Sequence, residues 1–254
     1  MKSRYRWALF SMLNALTACA HGGPSRSAAP SPAEGAVNYP TDPVAFVTRY
    51  YVHSVPYDGA RRLAPGATEQ LRKMADDPKF EPFRSNIVVT LGMLADPAST
   101  DYLIWVARSG SGPSSPKLYT ERTGAIMALG FLVNGSSDPK ALDFLSERVM
   151  ADVWKQVEWK SPHARSPEEQ AHQLVRVTLL ALALSGKPEA YDILRDVAKR
   201  SVSTNRRLTR AALLALREHR FIAEKGLSAY YRGDSRPDPE RIDPEEFGLD
   251  FELE

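Results

Sequence analysis

The sequence predicts an all-α protein: a right-handed α-solenoid of roughly four irregular helix pairs, with capping helices at its ends. Three observations carry this expectation. Apolar residues recur at spacings of three and four, and the period-two alternation of strands is scarce. A proline-headed segment recurs as Pro97-x-x-x-Asp101-Tyr102-Leu103, Pro139-x-x-x-Asp143-Phe144-Leu145 and Pro188-x-x-x-Asp192-Ile193-Leu194, at separations of 42 and 49 residues. Ahead of each lies a second segment: Arg84-x-x-Ile87-x-x-Thr90-Leu91-Gly92, Arg122-x-x-Ala125-x-x-Ala128-Leu129-Gly130, and Arg176-x-x-Leu179-x-x-Leu182-Ala183-Leu184. One helix pair cannot bury its apolar stripe alone, so such units stack and share a continuous core.

Near the N-terminus of this array, Thr41-Asp42-Pro43 supplies a cap and a first-turn proline ahead of Val44, Phe46, Val47 and Tyr50, so Pro43 to His53 reads as an N-terminal capping helix. On a helix from Tyr119 to Val133, the residues Tyr119, Ile126, Leu129 and Val133 form one stripe, and Arg122 sits on it. Met150, Val153, Trp154 and Val157 line one side of a long helix after Pro139. Ser166-Pro167 followed by Glu168 and Glu169 is a helix start, with the acids placed for capping and the macrodipole rather than for acid–base catalysis. A degenerate fourth copy runs from Arg206 to His219, where Arg210, Leu213 and Leu216 keep the spacing of the third. Phe221 to Tyr231 reads as a C-terminal cap.

With these residues in view, the core resembles HEAT repeats, including the short variety first noted in phycobilisome lyases. The resemblance covers roughly residues 60–232. The array is irregular, because an extra Val-Asn-Gly-Ser-Ser follows Leu132 and the stretch from Pro139 to Lys160 is long.

The ends differ from the core. Lys2, Arg4 and Arg6 precede a short apolar run from Trp7 to Leu16, which is too short to span a bilayer and reads as a secretory signal. Leu16-Thr17-Ala18-Cys19 resembles the lipobox of bacterial lipoprotein signal peptides, and Cys19 is the chain's one cysteine. That resemblance implies removal of residues 1–18, lipidation of Cys19, and a protein anchored in the bacterial envelope facing the periplasm. Ala20 rather than Asp after the cysteine favours the outer over the inner membrane. Residues 19–40 then form the lipidated cysteine and a Gly-, Ser-, Pro- and Ala-rich tether. Residues 233–254 form an acidic tail, expected to be flexible, carrying nine acids against Arg236 and Arg241. Within it Phe247, Leu249, Phe251 and Leu253 alternate with polar residues and glycine, as in a docking strand, a short linear motif or a disordered end.

The candidate chemistry is sparse. The formal net charge is +2, which gives no general argument for nucleic acid. Arg84, Arg122 and Arg176 read either as a ladder gripping an acidic partner or as structural arginines bonded to Asp101, Asp143 and Asp192 or to helix-end carbonyls; burial favours the structural reading. Lys199, Arg200, Arg206, Arg207 and Arg210 form a denser basic cluster. It is either a solvated face or a site for lipid phosphate, glycan phosphate, an acidic protein segment or the chain's own tail. No aromatic platform interleaves with it, which argues against single-stranded nucleic acid. Trp154 reads first as core and second as a partner contact; Trp159, off that stripe, reads equally as a partner contact or as packing on the loop Ser161 to Ser166. The histidines have no metal-ligand spacing, and neither a nucleophile elbow nor a phosphate-binding glycine loop is present. The expectation is therefore a non-catalytic, membrane-tethered scaffold for an unidentified protein partner, without metal or small-molecule cofactor. The alternatives are an enzyme or accessory subunit acting on envelope polymers, and a structural lipoprotein whose groove holds its own tail.

Overall fold

The computed structural model describes residues 38–51, 54–108, 116–157, 161, 163–233 and 243–249 of the chain. The signal segment, Cys19 and Trp159 lie outside the described residues. Among those described, all regular structure is helical. In chain order the helices are α1 (Pro43–Val47), α2 (Tyr57–Ala60), α3 (Ala67–Asp76), α4 (Arg84–Leu94), α5 (Thr100–Arg108) and α6 (Pro116–Ser136). They continue with α7 (Pro139–Ser146), α8 (Ala151–Trp154), α9 (Pro167–Ser185), α10 (Pro188–Ser201) and α11 (Arg206–Arg232).

Proline opens five of these helices, where its fixed φ suits the first turn and its missing N–H costs nothing. A polar cap stands before three of the prolines. Asp42 accepts from Ala45 N at 2.7 Å, Asp138 from Ala141 N at 2.9 Å, and Ser166 from Glu169 N at 3.2 Å. Each such cap contributes about 1 kcal/mol.

The helices α4, α6, α9 and α11 form a row, each packed on the next. Neighbours run parallel, because contacts advance together along both partners. Gly92 of α4 lies against Ala128 of α6, and one turn on, Ala95 lies against Gly135. Gly130 of α6 lies against Ala181 of α9, and Asn134 Nδ2 donates to Ser185 O at 2.9 Å. A Cβ on Gly92 would sit 2.4 Å from the Ala128 backbone, and one on Gly130 would sit 2.2 Å from Ala181 O. Only glycine permits that approach. The remaining long helices pack on this row: α3 on α4, α5 on α6, α7 on α6 and α9, α10 on α11. Residues 121–133 of α6 are all buried, so the single stripe expected there becomes burial on every side, as befits a central helix.

Three expectations are corrected. The long helix through Met150 and Trp154 is instead two short ones, α7 and α8. Between them Arg148 turns its guanidinium back to Phe144 O at 3.1 Å and over the Phe144 ring, while its own carbonyl accepts from Trp154 Nε1 at 2.9 Å. Trp154 is buried at 1%, which removes it as a partner contact, whereas Met150 and Val153 are exposed at 48% and 37%. The C-terminal capping helix is present but starts later than Phe221: α11 bends at Gly226, whose φ of +82° and ψ of +166° are not helical, and the segment from there to Arg232 forms the cap. That bend returns the last turn to α2: Tyr231 stacks on Tyr57 at 5.8 Å, Phe131 of α6 adjoins both rings, and Ser228 Oγ donates to Asp58 Oδ1. The third concerns the tail. Residues 243–249 are not loose; they form a 3-10 turn (Pro244–Phe247) with Phe247 and Leu249 buried at 3% and 4%.

Candidate functional site: an arginine-lined cleft

The site begins with two facing stripes. On α9, Glu169, His172, Gln173 and Arg176 recur at three and four; on α11, Arg207, Arg210, Ala211 and Leu214 do the same. The two helices meet at the Gly186 end, where that glycine lies beside Ile222. Toward their N-termini a cleft of about 950 Å³ opens between them, and Arg165 and Asn205, the N-cap of α11, are also among its lining residues. Four arginines (Arg165, Arg176, Arg207, Arg210) and one acid, Glu169, therefore line one cleft.

The walls are fixed by hydrogen bonds. Gln173 Oε1 accepts from Tyr119 OH and from Ser161 Oγ, both at 3.3 Å, and Gln173 Nε2 donates to His163 O at 3.4 Å. The His163 ring meets Tyr119 edge-on at 5.5 Å. Glu169 is held at the rim, accepting the Arg165 backbone N–H at 2.7 Å. Asn205 Oδ1 accepts from Leu208 N at 3.1 Å and so fixes the first turn of α11. Burial lowers the Arg176 pKa from its ordinary value, opposed by the field of Tyr119. Burial likewise raises that of Tyr119, opposed by the Ser161 bond and by Arg176. A desolvated guanidinium gains from an incoming anion, so Arg176 is the cation for which an anionic ligand does most.

Of the basic residues singled out in the sequence, Arg207 and Arg210 line the cleft. Lys199, Arg200 and Arg206 are exposed beside it and do not line it, and Arg200 pairs with Asp196. The arginine ladder divides. Arg176 enters the cleft. Arg84 Nε donates to Ala75 O at 3.0 Å, a helix-end carbonyl of α3. Arg122 is 2% exposed, its pKa lowered by burial against the field of Glu121. Glu121 is itself buried, with its pKa raised by burial and drawn back by Arg84 and Arg122. The aspartates do not join the ladder: Asp101, Asp143 and Asp192 are exposed, and Asp101 pairs with Lys140. The proline-headed helices turn that position outward, which is why no Arg–Asp rung forms there.

Sequence reading missed Arg165, His172 and Gln173 as cleft residues, and took Glu169 only as a helix-start acid. The signal was present as a polar stripe at i, i+3, i+4 and i+7 on an otherwise apolar helix. It also missed Arg195 and Arg220, which hold the tail: Arg195 Nε donates to Phe247 O at 3.0 Å, and Arg220 Nη1 pairs with Glu246 at 3.3 Å. Residues 243–249 lie on α10 and α11 there, and none of them lines the cleft.

Among the described residues no helix is long and apolar enough to cross a membrane, and no group of His, Cys, Asp and Glu is placed to hold a metal ion. No family model, curated protein or solved structure matches the chain. What the fold and the cleft define is a class: an all-helical protein with an arginine-lined cleft between two parallel neighbouring helices.

Proposed function

We propose that the protein is a lipid-tethered, non-catalytic HEAT-like α-solenoid scaffold of the bacterial envelope, and that the cleft between α9 and α11 binds an acidic segment of a protein partner. The observation that carries this is the excess of four guanidinium groups over one carboxylate on two facing helix stripes. Guanidinium matches carboxylate bidentately, and the cleft is far larger than a single small anion. The solenoid reading is supported by the row α4–α6–α9–α11, on which the arginines at 84, 122, 176 and 210 occupy corresponding places in successive copies. The tether rests on the Leu16–Cys19 motif, where acyl chains would supply about 0.8 kcal/mol per buried methylene.

The test is a titration of a fluorescein-labelled Asp/Glu-rich peptide into the protein by anisotropy. Arg207→Glu combined with Arg210→Glu should weaken binding at least about tenfold, or about 1.4 kcal/mol, while leaving the melting temperature unchanged. Equal affinity in the folded double variant would sink the cleft as the binding site. For the tether, Cys19→Ala should move the protein from the membrane pellet to the soluble fraction. If the Cys19→Ala protein stayed in the pellet after salt washing, the lipid anchor would be wrong.

A further inference from the structure

A second site lies on α10 and α11, and the chain itself shows what fits it. Residues 243–249, reading Asp-Pro-Glu-Glu-Phe-Gly-Leu, are bound there. Asp243 caps the turn by accepting from Glu245 N at 3.0 Å, and Leu249 N donates back to Pro244 O at 3.1 Å, so the segment carries its own local fold. Two arginines of the body recognise it. Arg195 reads two consecutive carbonyls, with Nε on Phe247 O and Nη2 on Gly248 O, each at 3.0 Å. Gly248 is the residue that permits this: its φ is +65°, and a Cβ there would stand 3.2 Å from the Arg195 guanidinium. Arg220 holds Glu246 through its carboxylate and its carbonyl, and lies 4.7 Å over the Phe247 ring. Phe247 and Leu249 are the apolar anchors.

Every feature of this recognition is readable from a short linear peptide: one carboxylate, one aromatic ring, one glycine and one aliphatic side chain, in fixed order. We infer that the α10–α11 face is a peptide-binding site for segments reading acidic–Phe–Gly–Leu, held in cis by residues 243–249 and exchangeable for the same motif on a partner protein. The cis segment competes at the high effective concentration of a tethered ligand, so the site is closed until the tail is displaced. This site is separate from the arginine cleft, and neither Arg195 nor Arg220 lines that cleft.

The probe is a labelled peptide of residues 242–252, titrated into full-length chains. Phe247→Ala with Leu249→Ala in the chain removes both anchors and opens the site. This variant should bind the peptide at least tenfold tighter than the unaltered chain, and adding Arg195→Ala should abolish the gain. A second arm spares the anchors. Arg220→Glu in the chain should reject the native peptide and accept one bearing Glu246→Arg. Circular dichroism establishes folding in each case. The inference is overturned if folded variants in both arms bind neither peptide, or if the unaltered and opened chains bind alike. It is also overturned if the unaltered chain sediments as a dimer throughout, since the tail would then belong to a second copy.

Discussion

Two kinds of junction occur along the row of parallel helices. Between α4 and α6, and between α6 and α9, backbones close to within side-chain-free distance at Gly92 and Gly130. Between α9 and α11 the corresponding residue is Leu184, and toward the N-termini the two helices separate around a lining that mixes arginine and glutamine with Leu208, Ala211 and Leu214. Where a junction is sealed by glycine, no ligand can enter. Where the glycine is absent, the space is lined by arginines, of which Arg176 is half-buried and Arg165, Arg207 and Arg210 are exposed. The difference puts the tight packing in the middle of the row and the open cleft, to which we assign the proposed binding, at its end.

The strongest way to break this comparison is to spoil a sealed junction. Gly130→Val would drive a side chain into Ala181 backbone, which cannot yield as a side chain would. We expect a loss of about 3 kcal/mol or more, read as a lower denaturation midpoint. A variant melting like the unaltered protein would mean the junction is looser than its geometry implies.

At the open junction the effect should fall on affinity instead. Arg176→Met removes a half-buried guanidinium whose pKa burial has already lowered. It should weaken acidic-peptide binding about tenfold while leaving stability within about 1 kcal/mol, since the lost charge was costly to bury. A fall in stability as large as that of Gly130→Val would make Arg176 a structural residue.

The same contrast explains what was legible in the sequence. The recurring arginine with apolar or small residues three, six, seven and eight positions on marks helices α4, α6 and α9 as equivalent from the chain of residues alone, and glycine at the last of these places marks the two tight junctions. The prolines at 139 and 188 mark two helix starts, because proline acts locally. What was not legible was which side of the repeated arginine each copy would present. Arg84 reaches a carbonyl and Arg176 a cleft, a choice set by the neighbour rather than by the helix. The fate of the tail was hidden for a related reason. Its period-two pattern suggests a strand, yet the Pro244 start and Gly248 turn place Phe247 and Leu249 on one buried side of a compact turn.

Acid offers a milder probe of the open end. His219 on α11 is buried, with Nε2 2.8 Å from Lys187 O of the α10 start, and Asp192, Arg220 and Glu224 line the same small cavity. Burial lowers its pKa below the ordinary 6.5, opposed by that backbone bond. The unfolded chain therefore binds a proton that the folded chain resists. The contribution is intact above pH 6.5 and is lost as pH falls from there through the depressed folded value, at about 1.4 kcal/mol per unit of depression. Denaturant midpoints from pH 7.5 to 5 should fall more steeply in the unaltered protein than in His219→Gln. Hydrogen exchange should show α10 and α11 opening before α4 and α6. Uniform opening across the row would erase the distinction between its end and its middle.

The smallest expected effect sharpens the sealed side. Gly124 shares α6 with Gly130 and also faces α4, yet a Cβ there would meet only Val89 Cγ2, at 3.3 Å. That atom is the tip of a partly buried side chain, which can shift by a few tenths of an ångström. Alanine is favoured over glycine inside a helix by up to about 1 kcal/mol, because glycine has more backbone freedom to lose. Gly124→Ala should therefore be neutral or raise the melting temperature slightly, in contrast to Gly92→Ala, whose added carbon meets the Ala128 backbone. If both alanines destabilised equally, the two helices would be tight along their whole length. If only Gly92→Ala does, the close approach is confined to the stretch from Gly92 beside Ala128 to Ala95 beside Gly135, and the helices splay toward their N-termini, as α9 and α11 do around the arginines.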